Sequence, residues 1–107
     1  MITNTSIGIT NTPIFTSAGA AAINLIVFCN TNTTLSAKLT VLVVPSGDSI
    51  AVKHTIIKQT VLNPLETLMF SQEKLILSTG DVVYALATQS DGSSPIVVVS
   101  TVSSIDL

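Results

Sequence analysis

The chain has 107 residues, of which 9% are charged and 47% are apolar, and its formal net charge is −2. An ordinary soluble domain carries about 25% charged residues, so these side chains are too few to cover the surface of a monomer. The four lysines are dispersed and arginine is absent, which excludes the clustered basic footprint typical of nucleic-acid binding. The composition favours a packed component of a larger assembly over a free catalyst.

The length allows one hydrophobic core, so residues 1–107 are expected to form a single domain. The longest apolar stretch, residues 18–29, is shorter than the about 20 residues of a membrane-spanning helix, and it predicts a buried strand with no membrane partner. No basic residue precedes an apolar run at the N-terminus, so a secretory signal is not expected. Cys29 is the only cysteine, which excludes an internal disulfide.

Short runs of β-branched and aliphatic residues, separated by turn residues, predict an all-β domain. Residues 1–15 are expected to form an edge strand or an N-terminal arm, because Pro13 lacks a backbone donor. Residues 20–30 predict a long strand that is central or lies at an interface, since both of its faces are largely apolar. One face would carry Ile23, Leu25, Val27 and Cys29, and the other Asn24, Ile26 and Phe28.

The middle and end of the chain predict further hairpins. Residues 37–44 alternate and are followed by the turn residues 45–48, which lead into a strand over residues 50–57. Residues 65–70 and 75–77 predict two shorter strands. A final hairpin would join residues 82–88 to residues 96–102 through a loop that contains Asp91-Gly92. Together these runs, about seven to eight strands, predict a single-domain antiparallel β-sandwich or jelly-roll-like fold.

Few residues could carry catalysis. His54 is the only histidine, and in a strand its neighbours Lys53 and Thr55 would point to the opposite face, so no acid–base partner is identified. Glu66 and Glu73 are the only glutamates and are conceivable as a carboxylate pair for glycoside hydrolysis, but the aromatic platforms of a sugar site are scarce. We therefore expect that the protein is not an enzyme.

Metal and cofactor sites are not predicted either. One histidine and dispersed acids give no zinc spacing, and the isolated glycines form no phosphate-binding loop. Loop aspartates leave calcium binding open, because carbonyl oxygens are available beside them. These aspartates are Asp48, Asp81 and Asp91.

One arrangement of residues resembles a known family. Residues 74–81 combine a short aliphatic strand with Gly80-Asp81, and an aliphatic strand, an Asp-Gly-Ser loop and a valine-rich strand follow. Upstream, residues 21–30 form an aliphatic stretch that ends in Asn and a Thr-rich turn. Over residues 20–105 this arrangement resembles small virion structural proteins of tailed bacteriophages, including those of cyanobacterial phages. The chain departs from that family's turn glycine at Leu65.

The resemblance implies a β-sandwich located in the virion, most simply a capsid decoration or cement subunit that stabilises the particle by packing in many copies. Its partners would be other virion proteins, either the major capsid protein or neck and tail proteins, and it would form a homo-oligomer. A neck, tail or fibre-attachment role is the alternative within this class. A carbohydrate- or receptor-binding module is the alternative from another class.

Candidate contact residues lie in the N-terminal segment and in two loops. No cofactor is expected. The candidate contacts are Ile2, Ile7, Ile9, Ile14, Phe15, Asp48 and Asp91.

Overall fold

The computed structural model describes residues 1–70, 75–91 and 98–107. Within these residues the chain forms nine strands and one single-turn 3₁₀ helix, Val52–His54. The strands are β1 (Ile2–Ser6), β2 (Thr12–Thr16), β3 (Ala21–Asn30), β4 (Ala37–Val44), β5 (Thr55–Leu62), β6 (Thr67–Phe70), β7 (Leu75–Leu77), β8 (Val82–Gln89) and β9 (Val98–Asp106).

The strands form two antiparallel sheets. The first sheet has the order β1-β9-β3-β6, with β7 also paired to β3, and the second has the order β2-β8-β4-β5. β6 and β7 pair with successive stretches of β3, residues 26–29 and 21–23, so they occupy one strand position. Counting β6 and β7 as one strand gives two four-stranded sheets, and their strand order is that of a jelly roll. The predicted all-β sandwich with jelly-roll-like topology is confirmed.

The N-terminal segment is built into the sandwich. β1 lies at the edge of the first sheet beside β9, and β2 lies at the edge of the second sheet beside β8. Pro13 is therefore on an edge strand, as its missing N–H predicts. Because residues 1–15 supply two edge strands to different sheets, the edge-strand alternative holds and the free-arm alternative does not.

The core lies between the two sheets. Ile26 and Phe28 of β3 pack toward Leu39 and Val41 of β4, and all four side chains are buried. The face assignment of β3 needs one correction. The β3–β9 register shifts between Ile23 and Leu25, so Ile23 is buried in the core with Ile26 instead of sharing a face with Leu25. A β-bulge places one extra residue in a strand and reverses the alternation beyond it.

The connection between β4 and β5 also differs from the prediction. Residues 52–54 form the 3₁₀ helix, and β5 begins only at Thr55, not at residue 50. The helix lies against β4. In β5, the backbone N–H of Gln59 donates a hydrogen bond to Thr40 Oγ1 at 3.2 Å. Leu42 and Val44 are buried although they point away from the core, so the outer side of β4 is largely covered.

The turn between β7 and β8 is joined to the same connection. Gly80 has φ of 86°, which glycine adopts readily. The Asp81 carboxylate accepts hydrogen bonds from the backbone N–H groups of Ser46 (2.9 Å) and Ser78 (2.8 Å). The turn predicted at Gly80-Asp81 is therefore confirmed. In the turn predicted at Asp91-Gly92, Gly92 lies outside the described residues, as do residues 93–97.

The hairpin predicted between residues 82–88 and 96–102 is wrong. β8 pairs with β2 and β4 in the second sheet, whereas β9 pairs with β1 and β3 in the first. The two strands therefore lie in different sheets of the sandwich.

Candidate functional site: an uncharged sheet face

The side of the first sheet that points away from the core presents a continuous surface formed by β1, β9, β3, β6 and β7. Cross-strand pairing aligns its side chains in rows. Asn4, Thr101, Val27 and Met69 lie side by side across β1, β9, β3 and β6. We call this surface the outer face. It comprises Ile2, Asn4, Ser6, Ala22, Leu25, Val27, Cys29, Thr67, Met69, Ile76, Val99, Thr101, Ser103 and Ile105.

No residue of the outer face is charged. Charged side chains occur on the second sheet, in the loops and at strand ends. Among the described residues they are Lys38, Asp48, Lys53, Lys58, Glu66, Asp81, Asp91 and Asp106. The shortage of charge seen in the composition is therefore concentrated on one side of the sandwich.

The outer face has an apolar half and a hydroxyl-rich half. β3, β6 and β7 supply the apolar half, in which Met69 is 60% exposed and Ile76 is 66% exposed. β1 and β9 supply Ser6, Thr101 and Ser103 with three interspersed aliphatic side chains. Large exposed apolar patches on soluble proteins mark interaction surfaces. The chemistry of this face suits burial against another protein surface.

A shallow depression of about 240 Å³ lies between β1 and β9. Its lining is Asn4, Thr5, Ser6, Val99, Ser100 and Thr101. Thr101 Oγ1 donates to Asn4 Oδ1 at 2.8 Å, so part of its polarity is already satisfied internally. The lining contains no aromatic side chain, and aromatic rings are what a sugar ring usually stacks on. The depression therefore lacks the aromatic platform of a typical carbohydrate site.

The second sheet offers no equivalent surface. Lys38 is exposed on its outward side, opposite Thr88. Thr40, Leu42 and Val44 beside it are buried. The connection at residues 45–54 thus occupies much of the area that a partner would need.

The seven candidate contact residues divide into two groups. Ile2 is 69% exposed on the outer face, Ile9 is exposed after β1, and Asp48 and Asp91 are exposed in loops. The other three are core residues, which corrects the expectation that they contact a partner. Ile7, Ile14 and Phe15 are at most 6% exposed. The register shift in β2 between Pro13 and Phe15 turns the Ile14 and Phe15 side chains inward together.

His54 stabilises the connection between β4 and β5 through hydrogen bonds of both ring nitrogens. It is buried, its Nδ1 accepts a hydrogen bond from the Ala51 N–H at 3.0 Å, and its Nε2 lies 3.2 Å from Asp48 Oδ2. With Nδ1 accepting, the proton resides on Nε2 and is donated to the carboxylate. Both ring nitrogens are thus used to hold residues 48–54 together. This arrangement gives the histidine a structural role.

Two other acidic side chains, those of Glu66 and Asp81, are also engaged locally. Glu66 Oε1 accepts the Asn63 N–H at 2.9 Å, and Glu73 lies outside the described residues. Backbone N–H groups of Ser46 and then Ser78 hold the pKa of Asp81 below its usual value, because hydrogen bonds favour the charged carboxylate. The described residues contain no group of three or more His, Cys, Asp or Glu side chains arranged to hold a metal ion.

Sequence reasoning missed most of the outer face, although one signal was present. Both faces of residues 20–30 are apolar, which indicates a strand buried on one side and covered on the other. The same pattern does not extend to Met69 and Ile76, whose strands are too short to show a clear alternation.

Comparison with protein-family models, with curated proteins and with solved structures gave no match in any of the three searches. No helix in the described residues is long and apolar enough to cross a membrane. The function is therefore inferred from the fold and the outer face.

Proposed function

We propose that the protein is a structural subunit of a bacteriophage virion, a capsid decoration or cement protein that packs in many copies on the particle. The observation that carries the proposal is the uncharged outer face, because an exposed surface rich in apolar side chains is typical of a protein that binds a partner. Two further observations support it: the jelly-roll topology recurs in viral capsid proteins, and residues 20–105 resemble small phage virion proteins.

The proposed mechanism is adhesion without catalysis. Burying apolar surface stabilises a contact by about 25 cal/mol per Å², and the outer face presents Met69, Ile76 and Ile105 for this purpose. The Ser and Thr side chains beside them are short, so ordering them costs little conformational entropy. Weak contacts of this kind become effective when a symmetric particle repeats them many times.

The direct test is whether the protein is a stoichiometric component of particles. Particles from the source culture would be treated with nuclease, banded on a density gradient and analysed by quantitative mass spectrometry. A decoration subunit should be present in a copy number comparable to that of the major capsid protein. A neck or tail protein should be present in about a dozen copies or fewer, and absence from the particles would overturn the proposal.

A binding assay tests the role of the outer face. Recombinant protein would be added to particles that lack it, and retention after sedimentation would be measured. Thr101→Glu places a charge on the outer face and should abolish retention, because burying an unpaired charge is costly. Thr88→Glu is the matched control, since Thr88 points outward on the second sheet beside Lys38, and it should be retained like the wild type.

Carbohydrate binding is the second candidate, and the polar depression between β1 and β9 is the observation that favours it. Jelly rolls also occur in lectins. A glycan array with the wild type and Asn4→Ala would decide the matter. Binding that depends on Asn4 would support this alternative over the adhesive role.

A further inference from the structure

We propose that the outer face binds the outer face of a second copy of this chain, so that two sandwiches pack sheet against sheet in a symmetric dimer. The inference depends on the proposed function only for where such a dimer is used. The contact itself is argued from the chemistry, shape and size of the face.

The outer face has no charged side chain that could pair with a charge on a partner. A partner that brings a charged side chain onto this surface would bury it without a counter-ion, because the outer face offers none, and breaking or omitting such a pairing is strongly unfavourable. A second outer face brings no charged side chain into the contact, since none of its residues is charged either. Self-association is therefore free of the electrostatic cost that most other surfaces would impose.

The apolar side chains of the outer face are grouped along β3 and its neighbours. Leu25, Val27 and Cys29 of β3 lie between Val99 on one side and Met69 on the other. A symmetric interface brings the same patch of both subunits together. A two-fold axis running within the apolar half would place aliphatic side chains against aliphatic side chains and leave Asn4 and Ser6 of β1, together with Ile2, toward the rim. Such a core of apolar residues with a polar rim is typical of protein interfaces.

The area of the outer face follows from the number of residues in its strands. The five strands of the first sheet have 31 residues together, and at about 3.3 Å along the strand and about 4.8 Å between strands they give a face of about 500 Å². Two such faces together reach the about 1,000 Å² that a specific interface needs. The outer face is large enough for a dimer, so copies of this chain that pack on a particle would meet one another through it.

The experiment is analytical ultracentrifugation of the full chain over a concentration series, with variants that place one charge on either sheet. The wild type should approach twice the monomer mass of 11.1 kDa. Met69→Glu should raise the dimer dissociation constant at least tenfold. The matched control is Val61→Glu, because Val61 is also exposed and apolar on an edge strand but points outward from the second sheet; its dissociation constant should equal that of the wild type.

The native cysteine supplies a second readout. Cys29 is the only cysteine, is free and lies half-buried on the outer face. Its reaction with a maleimide should slow as the wild-type concentration rises and the dimer forms. In Met69→Glu the reaction should stay at the monomer rate, while circular dichroism verifies that the variant is folded.

Several results would overturn the dimer. A monomer up to millimolar concentration would do so, as would a larger ring or a dimer that Met69→Glu leaves intact. A monomer that still copurifies with particles would overturn this inference and leave the virion role standing. A dimer of the expected behaviour that is absent from particles would support this inference and overturn the virion role.

Discussion

At the residue scale, Asn30 shows how a polar side chain fixes the end of a strand. It is 1% exposed at the end of β3. Its Nδ2 donates to the carbonyls of Leu35 and Leu62 at 3.0 and 3.1 Å, and its Oδ1 accepts the Asn32 N–H. One amide therefore joins the β3–β4 loop to the end of β5.

Replacing that amide should be expensive. Asn30→Ala removes the hydrogen bonds to three backbone carbonyls, those of Leu35, Leu62 and Asn63, and to the Asn32 N–H. We therefore expect a loss of about 2–3 kcal/mol in the free energy of unfolding, measured by urea denaturation. Asn4→Ala, on the exposed outer face, is the control and should change stability by less than about 0.5 kcal/mol. Equal losses in the two variants would contradict the role given to Asn30.

At the element scale, the β7–β8 turn and the start of the β4–β5 connection depend on each other. A Cβ at residue 80 would lie 2.5 Å from Ser46 Oγ, and the backbone there has φ of 86°. Both the contact and the conformation therefore require glycine.

Gly80→Ala should lower the free energy of unfolding by about 1–3 kcal/mol because a non-glycine residue is strained at this φ. Two controls separate the causes. Gly47→Ala has a similar φ of 85° with nothing within 4 Å, so it measures the strain without the clash. Gly19→Ala has open space and no positive φ and should be nearly neutral. If Gly80→Ala costs no more than Gly47→Ala, the contact with Ser46 is unimportant.

Through Asp81, the contact between the β7–β8 turn and the β4–β5 connection makes the free energy of unfolding depend on pH. The backbone N–H of Ser46, followed by that of Ser78, lowers the folded-state pKa of Asp81 below its usual 3.8. A lowered carboxylate pKa stabilises the folded state above the unfolded pKa, and this contribution is lost as pH falls through the folded value. The difference in unfolding free energy between the wild type and Asp81→Asn should therefore be largest near neutral pH and shrink below about pH 4. A difference that stays constant down to pH 2 would contradict this assignment.

The elements also show what a sequence can and cannot predict here. Alternation in residues 37–44 correctly predicts that Leu39 and Val41 share the core face. Alternation fails where a single residue is inserted, because the bulge after Ile23 reverses every later position. The strand predicted from residue 50 fails for another reason: a buried histidine stabilises a helical turn at residues 52–54, and local propensity does not show that contact.

At the scale of the whole molecule, turn spacing predicted an all-β sandwich of about seven to eight strands, and the described residues contain nine. Turn spacing predicted neither the strand order nor the outer face. Its rows consist of residues from β1, β9, β3 and β6 that are up to 101 positions apart, as in the cross-strand pair Ile2 and Ser103. Only the pairing register brings them together, and no local pattern encodes it.

The uncharged contact predicts an association that salt hardly affects. Screening weakens interactions between charges and leaves apolar burial largely unchanged. The dimer dissociation constant should therefore change by less than about twofold between 50 and 500 mM NaCl, a range over which the Debye length falls from about 14 to about 4 Å. A strong salt dependence, measured by ultracentrifugation at both concentrations, would show that charged residues outside the outer face form the contact.

The alternation along β3 and β9 also bears on how such a subunit evolves. Apart from the bulge in β3, every second side chain faces the core and determines the fold, while the residues between them face outward, where the proposed contact lies. The two sets of positions are interleaved in sequence but separated in space, so outward positions are free to drift while the scaffold persists. A library that randomises only Val27, Val99, Thr101 and Ser103 would sample new binding specificities on one unchanged framework.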